Sequence, residues 1–417
     1  MFETENDIMD LFEKCAKYDT AKKAKEMGLY PYFHYLNSGQ DIVVNMENHR
    51  VIMIGSNNYL GLTSHPEVKK ASMEALEKYG TGCSGSRFLN GTLDLHMELE
   101  SELAKFLGKE DVVTFSTGFM SNLGIISAIA GRNDVIVCDK ENHASIYDGC
   151  RLSYAKMLRY EHNDMQDLER QLQSIEKDKG ILIVTDGVFS MGGELCKLPE
   201  LVALKKKYGA RLMIDDAHGF GVFGEGGKGT ASHFNLDDEV DIIMGTFSKS
   251  LASLGGFMAC THEVCEYVRH NSRPFIFAAS IPPASVAAAL AALKILEKEP
   301  DRPKKLLEIS DYMREALKKR NIPIRKSDAP IIPINTYDDW RTFYACKELF
   351  DKGVYVNPCI SPSVPVGEAI IRTSYTATHT KELMDEAADI IQDVFKTLPS
   401  CEYFEKLRAD YEAKQGK

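Results

Sequence analysis

Three apolar runs decide the fold of this chain: ILIVTD (181–186), RLMIDD (211–216) and DIIMGTF (241–247). Their apolar residues are consecutive rather than alternating, a pattern that favours strands buried on both faces. A helix-like segment, LPELVALKKKYG (198–209), separates the first run from the second. Strands that alternate with helices in this way predict an α/β fold, with a mainly parallel sheet and helices on both of its faces.

The same alternation extends upstream of these runs and changes downstream of them. Two more strands are predicted at VVTF (112–115) and DVIVCD (134–139), and four more helices at residues 65–80, 95–108, 119–130 and 165–177. We therefore expect a large domain over residues 46–290 and, where helices mix with short strands, a smaller α+β domain over residues 291–417. Residues 1–45 contain no sheet pattern and are predicted to form an N-terminal arm.

Composition excludes several classes of protein. With 417 residues, the chain is too long for one ordinary core, and 44% hydrophobic residues are normal for a globular protein. A formal net charge of -11 argues against a nucleic-acid binder and against attraction to an anionic membrane. The ten cysteines are scattered without a Cys-x-x-Cys pair, which favours buried free thiols in a reducing compartment over disulfides or a metal site. The acidic start, MFETENDIMDLFEKC, is unlike a signal peptide, so a cytoplasmic enzyme is predicted.

One uncharged stretch, residues 274–293, has the length of a membrane span. However, Pro282 and Pro283 interrupt it, and its second half is rich in alanine and serine. We predict a short strand, a turn and then a buried helix that begins at Pro283, because proline is tolerated in the first turn of a helix. No transmembrane segment is expected.

Two glycine patterns match the dinucleotide fingerprint in spacing alone. They are Gly80-Gly82-Gly85 and Gly224-Gly226-Gly229. A fingerprint of this kind lies between a strand and the helix that follows it, and neither match has that context. Both are interpreted as turns, which argues against a dehydrogenase.

Chemically active residues follow the predicted strands at the point where each one ends. Thr117 and Gly118 open a helix after VVTF, and the free backbone amides of a helix start can hold a phosphate. Asp215 ends a buried strand, where a carboxylate needs a cation such as a protonated ring nitrogen. His218 follows three residues later, and His143 follows the strand DVIVCD. In an open α/β sheet such strand ends meet at one ligand-binding edge.

Lys249 completes this set, because it follows the strand DIIMGTF at the same edge. A lysine at the mouth of a buried sheet is a candidate with a lowered pKa for imine formation. Alone, Lys249 would be interpreted as a surface lysine and Thr117 as an ordinary helix cap. Together, the lysine, the aspartate, the histidine and the phosphate-binding helix start predict a site for pyridoxal 5'-phosphate.

Longer segments strengthen this interpretation. They are SNNYLGL (56–62), GTGCSGSRFLNGT (80–92), FSTGFMSNLGIIS (115–127), HASIYDGC (143–150), GTFSKSLASLGGF (245–257), RPFIFAASIPP (273–283) and IIRTSYTATHT (370–380). In these segments the chain resembles the α-oxoamine synthases, fold-type I pyridoxal phosphate enzymes that condense an amino acid with an acyl-CoA. The resemblance covers nearly the whole sequence.

The resemblance implies roles for individual residues. Lys249 would form the imine with the cofactor and move the Cα proton, Asp215 would pair with the pyridine nitrogen, and His143 would stack on the ring. The remaining cofactor contacts would come from Gly118, Phe119, Ser190, His218, Thr246 and Ser248. Arg372 would bind the amino-acid carboxylate, with Asn57 and Ser363 as further substrate-side residues.

Two positions depart from the family pattern. Ala278 stands where a Ser or Thr of the partner subunit often reaches the phosphate, so the phosphate would depend more on Thr246 and on backbone amides. Asp186 stands where Glu is usual, which is a conservative change near the ring.

The resemblance also implies substrates and partners. Within the family, the Leu-Asn-Gly-Thr and Ala-Ser-Ile-Tyr-Asp-Gly elements favour the branch that condenses L-serine with a long-chain acyl-CoA at the start of sphingolipid synthesis. Residues 215–229 resemble the biotin-pathway members of the family equally well. Two alternatives therefore stay open: 8-amino-7-oxononanoate synthase and glycine C-acetyltransferase. A non-catalytic partner subunit is a third alternative, although such a subunit would lack the lysine. A homodimer is implied by the family, and a transient membrane-surface contact is compatible with the long-chain substrate.

Overall fold

The computed structural model describes residues 10–414. The first nine residues of the predicted arm and the last three residues of the chain lie outside this range. The strands are β1 (Val43–Met46), β2 (His49–Met53), β3 (Asp111–Phe115), β4 (Asp134–Asp139), β5 (Lys156–Tyr160), β6 (Gly180–Asp186), β7 (Arg211–Asp215), β8 (Ile242–Thr246), β9 (Gly256–Cys260), β10 (Ile331–Tyr337), β11 (Val354–Tyr355), β12 (Asn357–Cys359) and β13 (Ala369–Ser374).

Helices account for most of the remaining described chain. They are α1 (Glu13–Ala16), α2 (Thr20–Glu26), α3 (Pro66–Tyr79), α4 (Asp94–Leu107), α5 (Gly118–Ile129), α6 (Ala144–Ser153), α7 (Met165–Gln173), α8 (Leu198–Tyr208), α9 (Thr230–His233), α10 (His262–Asn271), α11 (Arg273–Ile276), α12 (Pro283–Lys298), α13 (Arg302–Lys319), α14 (Asp339–Asp351), α15 (Lys381–Thr397) and α16 (Cys401–Lys414).

A seven-stranded sheet forms the centre of the larger part of the molecule, in the order β3-β9-β8-β7-β6-β4-β5. The pairs from β8 to β5 are parallel, whereas β9 is antiparallel to both of its neighbours. The predicted α/β fold with a mainly parallel sheet is therefore confirmed. Two strands of this seven-stranded sheet, β5 and β9, were not predicted.

Successive side chains of a strand point to opposite faces of the sheet. Because the apolar residues of these strands are consecutive, each face of this sheet has its own core. On β7, Leu212 and Ile214 pack into one core and Met213 packs into the other. All three side chains are almost fully buried. Burial of one such side chain stabilises the fold by about 2 kcal/mol. The sheet is thus buried on both faces, as its uninterrupted apolar runs predict.

The uncharged stretch 274–293 is partly as predicted. The helix that begins at Pro283 is confirmed as α12, and ten of its residues are buried. The predicted strand before it is wrong, because Arg273–Ile276 forms the short helix α11, in which Pro274 occupies the first turn. Within residues 10–414, no helix combines the length and the apolar character that crossing a membrane requires.

Two three-stranded sheets, in the orders β1-β2-β11 and β10-β13-β12, are built from C-terminal strands together with β1 and β2 from the N-terminal side of the chain. Their core includes Ile52, Ile54 and Tyr59, which come from the N-terminal side of the chain. The expectation that residues 1–45 contain no strand is wrong for residues 43–45, since β1 begins at Val43 and pairs with β2. The boundaries of the arm and of the two domains stay a prediction.

All ten cysteines lie within the described residues and are free thiols. Seven of them are buried, whereas Cys83 and Cys401 are partly exposed and Cys15 is exposed. The prediction of buried thiols is therefore wrong for these three positions.

Candidate active site

The carboxyl ends of the parallel strands open into a cavity of about 270 Å³. Nine residues that were predicted as cofactor contacts line it: Gly118, Phe119, His143, Ser190, Asp215, His218, Thr246, Ser248 and Lys249. They come from five segments at the carboxyl ends of β3, β4, β6, β7 and β8, which the sheet brings to one edge.

The first turn of α5 forms one end of the cavity. Thr117 caps this helix, since its hydroxyl accepts a hydrogen bond from the amide of Met120 at 3.1 Å. At Gly118 a Cβ atom would lie 2.8 Å from Oγ1 of Thr246. Only glycine therefore permits the helix start and the Thr246 hydroxyl to approach this closely. The free amides and the hydroxyl together make a compact anion site.

Asp215 also lines the cavity, and it is only 4% exposed. Its carboxylate accepts hydrogen bonds from Asn122 Nδ2 at 2.6 Å and from the Ala217 amide at 3.0 Å. Within the described part of the chain, no basic side chain forms an ion pair with it. A buried carboxylate with donors but no cation is arranged to receive a cationic group from a ligand.

Asp186 lies beside Asp215, because the two residues are paired on β6 and β7. Burial, together with the charge of Asp215, raises the pKa of Asp186 well above its ordinary value. Asp186 accepts a hydrogen bond from the backbone amide of His143 at 2.9 Å. That bond holds the loop from which the imidazole of His143 faces the cavity.

Lys249 is partly buried in the cavity wall. Burial lowers its pKa to about 8, although the charge of Asp215 acts in the opposite direction. A substantial fraction of the amine is therefore neutral near physiological pH, which is the form that acts as nucleophile or base.

The predicted substrate residues are only partly brought together. Arg372 is buried and donates from Nε to the carbonyl of Ser190 at 2.6 Å and from Nη2 to Oδ1 of Asn57 at 3.0 Å. It lies behind the cavity residues rather than among them. Ser363 is exposed in the turn between β12 and β13, outside the cavity. Ala278 lines a separate surface depression that does not include the cavity residues.

Three further residues belong to the site and were not predicted. Asn122 and Ser145 line the cavity and hydrogen bond to each other at 2.8 Å. Tyr59 is fully buried, and its hydroxyl lies 2.7 Å from Nδ1 of His218. The amide of Asn122 in a mainly apolar helix, FMSNLGIIS, was a signal for its role. No pattern in the sequence singled out Ser145 or Tyr59.

Known proteins share this architecture. The profile of the aminotransferase class I and II family matches residues 49–391. The chain is 50% identical to the serine palmitoyltransferase of Bacteroides ovatus over 388 residues, which cover 93% of this chain and 98% of that protein. It is 42% identical to the 8-amino-7-oxononanoate synthase of Thermoanaerobacter pseudethanolicus, over 90% of this chain and 96% of that protein. A solved structure of serine palmitoyltransferase with pyridoxal phosphate superposes with a TM-score of 0.91 at 35% identity, covering 93% of this chain and 99% of that one.

Proposed function

Since the chain belongs to the aminotransferase class I and II family, and within it to the α-oxoamine synthases, we propose that it condenses L-serine with a long-chain acyl-CoA such as palmitoyl-CoA. The products are 3-ketodihydrosphingosine, CoA and carbon dioxide. It is a pyridoxal phosphate-dependent transferase, and this reaction is that of the serine palmitoyltransferases to which it is similar. The observation that carries the proposal is the cavity that Lys249, the buried carboxylate of Asp215 and the start of α5 line together.

The residues of the cavity fit pyridoxal phosphate. The close approach of Gly118 to Thr246 leaves a cradle of amides and a hydroxyl for the phosphate. Asp215 would hold the proton of the ring nitrogen, and Lys249 would hold the aldehyde carbon. His143 would cover one face of the ring. When bound, the cofactor withdraws electrons from the Cα of an attached amino acid and so stabilises a carbanion there.

The chain's own residues supply the proton transfers and the orientation. Lys249 removes the proton from Cα of serine, a task for which a pKa of about 8 suits an amine near neutral pH. Asp215 keeps the ring nitrogen protonated. Arg372 binds the serine carboxylate, and its hydrogen bonds to Ser190 and Asn57 fix the plane of the guanidinium.

The reaction of 8-amino-7-oxononanoate synthase is the second candidate, because the same residues would serve it and the chain is 42% identical to one such enzyme. Glycine C-acetyltransferase shares the family. The identity of 50% to serine palmitoyltransferase over a similar length supports L-serine as the amino acid. A non-catalytic subunit has less support, since Lys249 is present in the cavity.

The deciding experiment is turnover of L-serine, L-alanine and glycine against acyl-CoAs of graded length. Fastest turnover with L-serine and a long-chain thioester supports the proposal. Preference for L-alanine with pimeloyl-CoA, or for glycine with acetyl-CoA, would transfer the assignment to the other two branches. Lys249→Ala is the control, because it removes the reactive amine.

Assembly and location are further parts of the proposal. A homodimer is expected, and exposed apolar side chains such as Leu89 and Phe277 are compatible with a second copy that covers them. The cytoplasm is the proposed location, with transient contact to a membrane that supplies or receives long acyl chains. Light scattering at several concentrations tests the first expectation, and fractionation of cells tests the second.

A further inference from the structure

A chain of hydrogen bonds runs from Arg372 to His218 through Tyr59. The Tyr59 hydroxyl lies 3.4 Å from Nη2 of Arg372 and 2.7 Å from Nδ1 of His218. All three side chains are at least nine-tenths buried, and Tyr59 is fully so. Water therefore does not replace these partners, and the direction of each bond is set by the donors and acceptors present.

The direction of the bonds follows from the donors available. Arg372 has only N–H donors, so its contact with Tyr59 uses the phenol oxygen as acceptor. The single phenol hydrogen has two acceptors in reach, Nδ1 of His218 at 2.7 Å and Oδ1 of Asn57 at 3.4 Å. The nearer acceptor is favoured, since hydrogen bonds weaken steeply with distance. Oδ1 of Asn57 also accepts from Arg372 at 3.0 Å.

His218 is neutral in this surrounding. Burial, assisted by the charge of Lys249, lowers its pKa well below the ordinary value. A neutral imidazole carries one proton, on Nδ1 or on Nε2. If Nδ1 accepts from Tyr59, the proton is on Nε2.

We propose that Tyr59 is a positioning residue that holds His218 in the tautomer with its proton on Nε2 and joins it to the carboxylate-binding Arg372. This proposal rests on the proposed function. It gives His218 an Nε2–H group that donates a hydrogen bond to the ring hydroxyl of the cofactor. It also makes the orientation of Arg372 dependent on a side chain that touches neither substrate. Tyr59 thus links the amino-acid side of the cavity to the cofactor side.

The tautomer can be measured directly by nitrogen NMR of the holoenzyme labelled with [15N]histidine. The His218 signal is identified as the one that is missing from His218→Gln. We expect a neutral ring protonated on Nε2 in the wild type and a changed signal in Tyr59→Phe. Protonation on Nδ1 in the wild type, or an unchanged signal in Tyr59→Phe, overturns the proposal. Even if Tyr59→Phe does not fold, the wild-type measurement alone can overturn the proposal.

The link to Arg372 is tested by titrating the holoenzyme with L-serine and following cofactor absorption. Loss of one such hydrogen bond is expected to raise the dissociation constant about fivefold in Tyr59→Phe. Tyr375→Phe is the matched control: Tyr375 is also fully buried in the same core, and its hydroxyl lies 2.7 Å from Oγ1 of Thr373.

An unchanged constant in Tyr59→Phe, or an equal rise in Tyr375→Phe, contradicts the link. If the wild type itself does not respond to L-serine, the proposed function fails, whereas the tautomer of His218 is still decided by the NMR measurement.

Discussion

Asp186 and Asp215 occupy paired positions on neighbouring parallel strands, yet their carboxyl groups are in different electrostatic situations. Burial and the charge of Asp215 raise the pKa of Asp186 well above its usual range. Asp215 instead accepts hydrogen bonds from the side-chain amide of Asn122 and the backbone amide of Ala217. Of these two adjacent acidic residues, Asp186 is thus the one whose charged form burial and its neighbour disfavour, whereas Asp215 is held by two hydrogen-bond donors.

The first prediction follows from this difference. Asp186→Asn replaces a carboxyl group whose raised pKa favours the neutral form with a neutral amide of similar shape, so turnover is expected to change by no more than about threefold. Asp215→Asn removes the charge that holds the ring proton, and the exchange of the serine Cα proton is expected to fall at least about 100-fold. Proton NMR in deuterium oxide measures that exchange. Equal losses in the two variants would show that the charge is not concentrated on Asp215.

The second prediction concerns the pH dependence of Lys249. Only the neutral amine attacks an aldehyde, and the pKa of Lys249 is lowered to about 8. The rate at which cofactor-free protein takes up pyridoxal phosphate should therefore rise with pH and level off above about 8. Stopped-flow absorption measures this rate, and Lys249→Ala should show no such reaction. An inflection close to 10.5, the ordinary lysine value, would disprove the lowered pKa.

A third prediction tests the phosphate cradle. Gly118→Ala places a methyl group 2.8 Å from Oγ1 of Thr246, so the helix start and the hydroxyl must separate. We expect the dissociation constant of pyridoxal phosphate to rise about 5- to 150-fold, because overpacking of this kind costs about 1–3 kcal/mol. Gly131→Ala, just beyond the other end of α5, is the control, since its new methyl meets nothing closer than 3.8 Å. Similar affinities for both variants would count against the cradle.

A fourth prediction addresses the carboxylate site. Arg372→Lys keeps the charge but loses the planar pair of donors, so the dissociation constant for L-serine should rise about tenfold or more. Arg325→Lys is the matched control, because Arg325 donates to Asn335 at 2.6 Å outside the cavity. Absorption titration of the holoenzyme with L-serine gives both constants. An unaltered constant in Arg372→Lys would remove Arg372 from the substrate site.

The fifth prediction is about stability rather than catalysis. Arg87 and Glu100 form a buried ion pair at 2.7 Å, with side chains only 7% and 4% exposed. Glu100→Gln leaves the guanidinium without its counter-charge and should lower the free energy of unfolding by about 3 kcal/mol. Glu161→Gln breaks the exposed pair with Lys140 and should cost under about 1 kcal/mol. Urea unfolding of each variant makes the comparison, and equal costs would show that burial does not control the effect.

The fold was predictable where strands are buried on both faces. The strands β4, β6, β7 and β8 are such cases, because their apolar residues are consecutive in sequence. β5 was missed since it lies at the edge of the sheet and carries Lys156 and Arg159, so its pattern is polar. The strand predicted before Pro282 is a helix, because local apolar character does not distinguish the two when a segment is this short.

What the sequence by itself determined is the set of reactive groups at the strand ends: Lys249, Asp215, His143 and His218 follow apolar runs, and the carboxyl ends of parallel strands meet at one edge. Only the tertiary structure decided the environment of those groups. Asn122 and Tyr59 are far from Asp215 and His218 in sequence, yet they form the hydrogen bonds that fix them. The pKa values of Lys249 and Asp186 depend on burial and on neighbouring charges, which are properties of packed atoms in three dimensions.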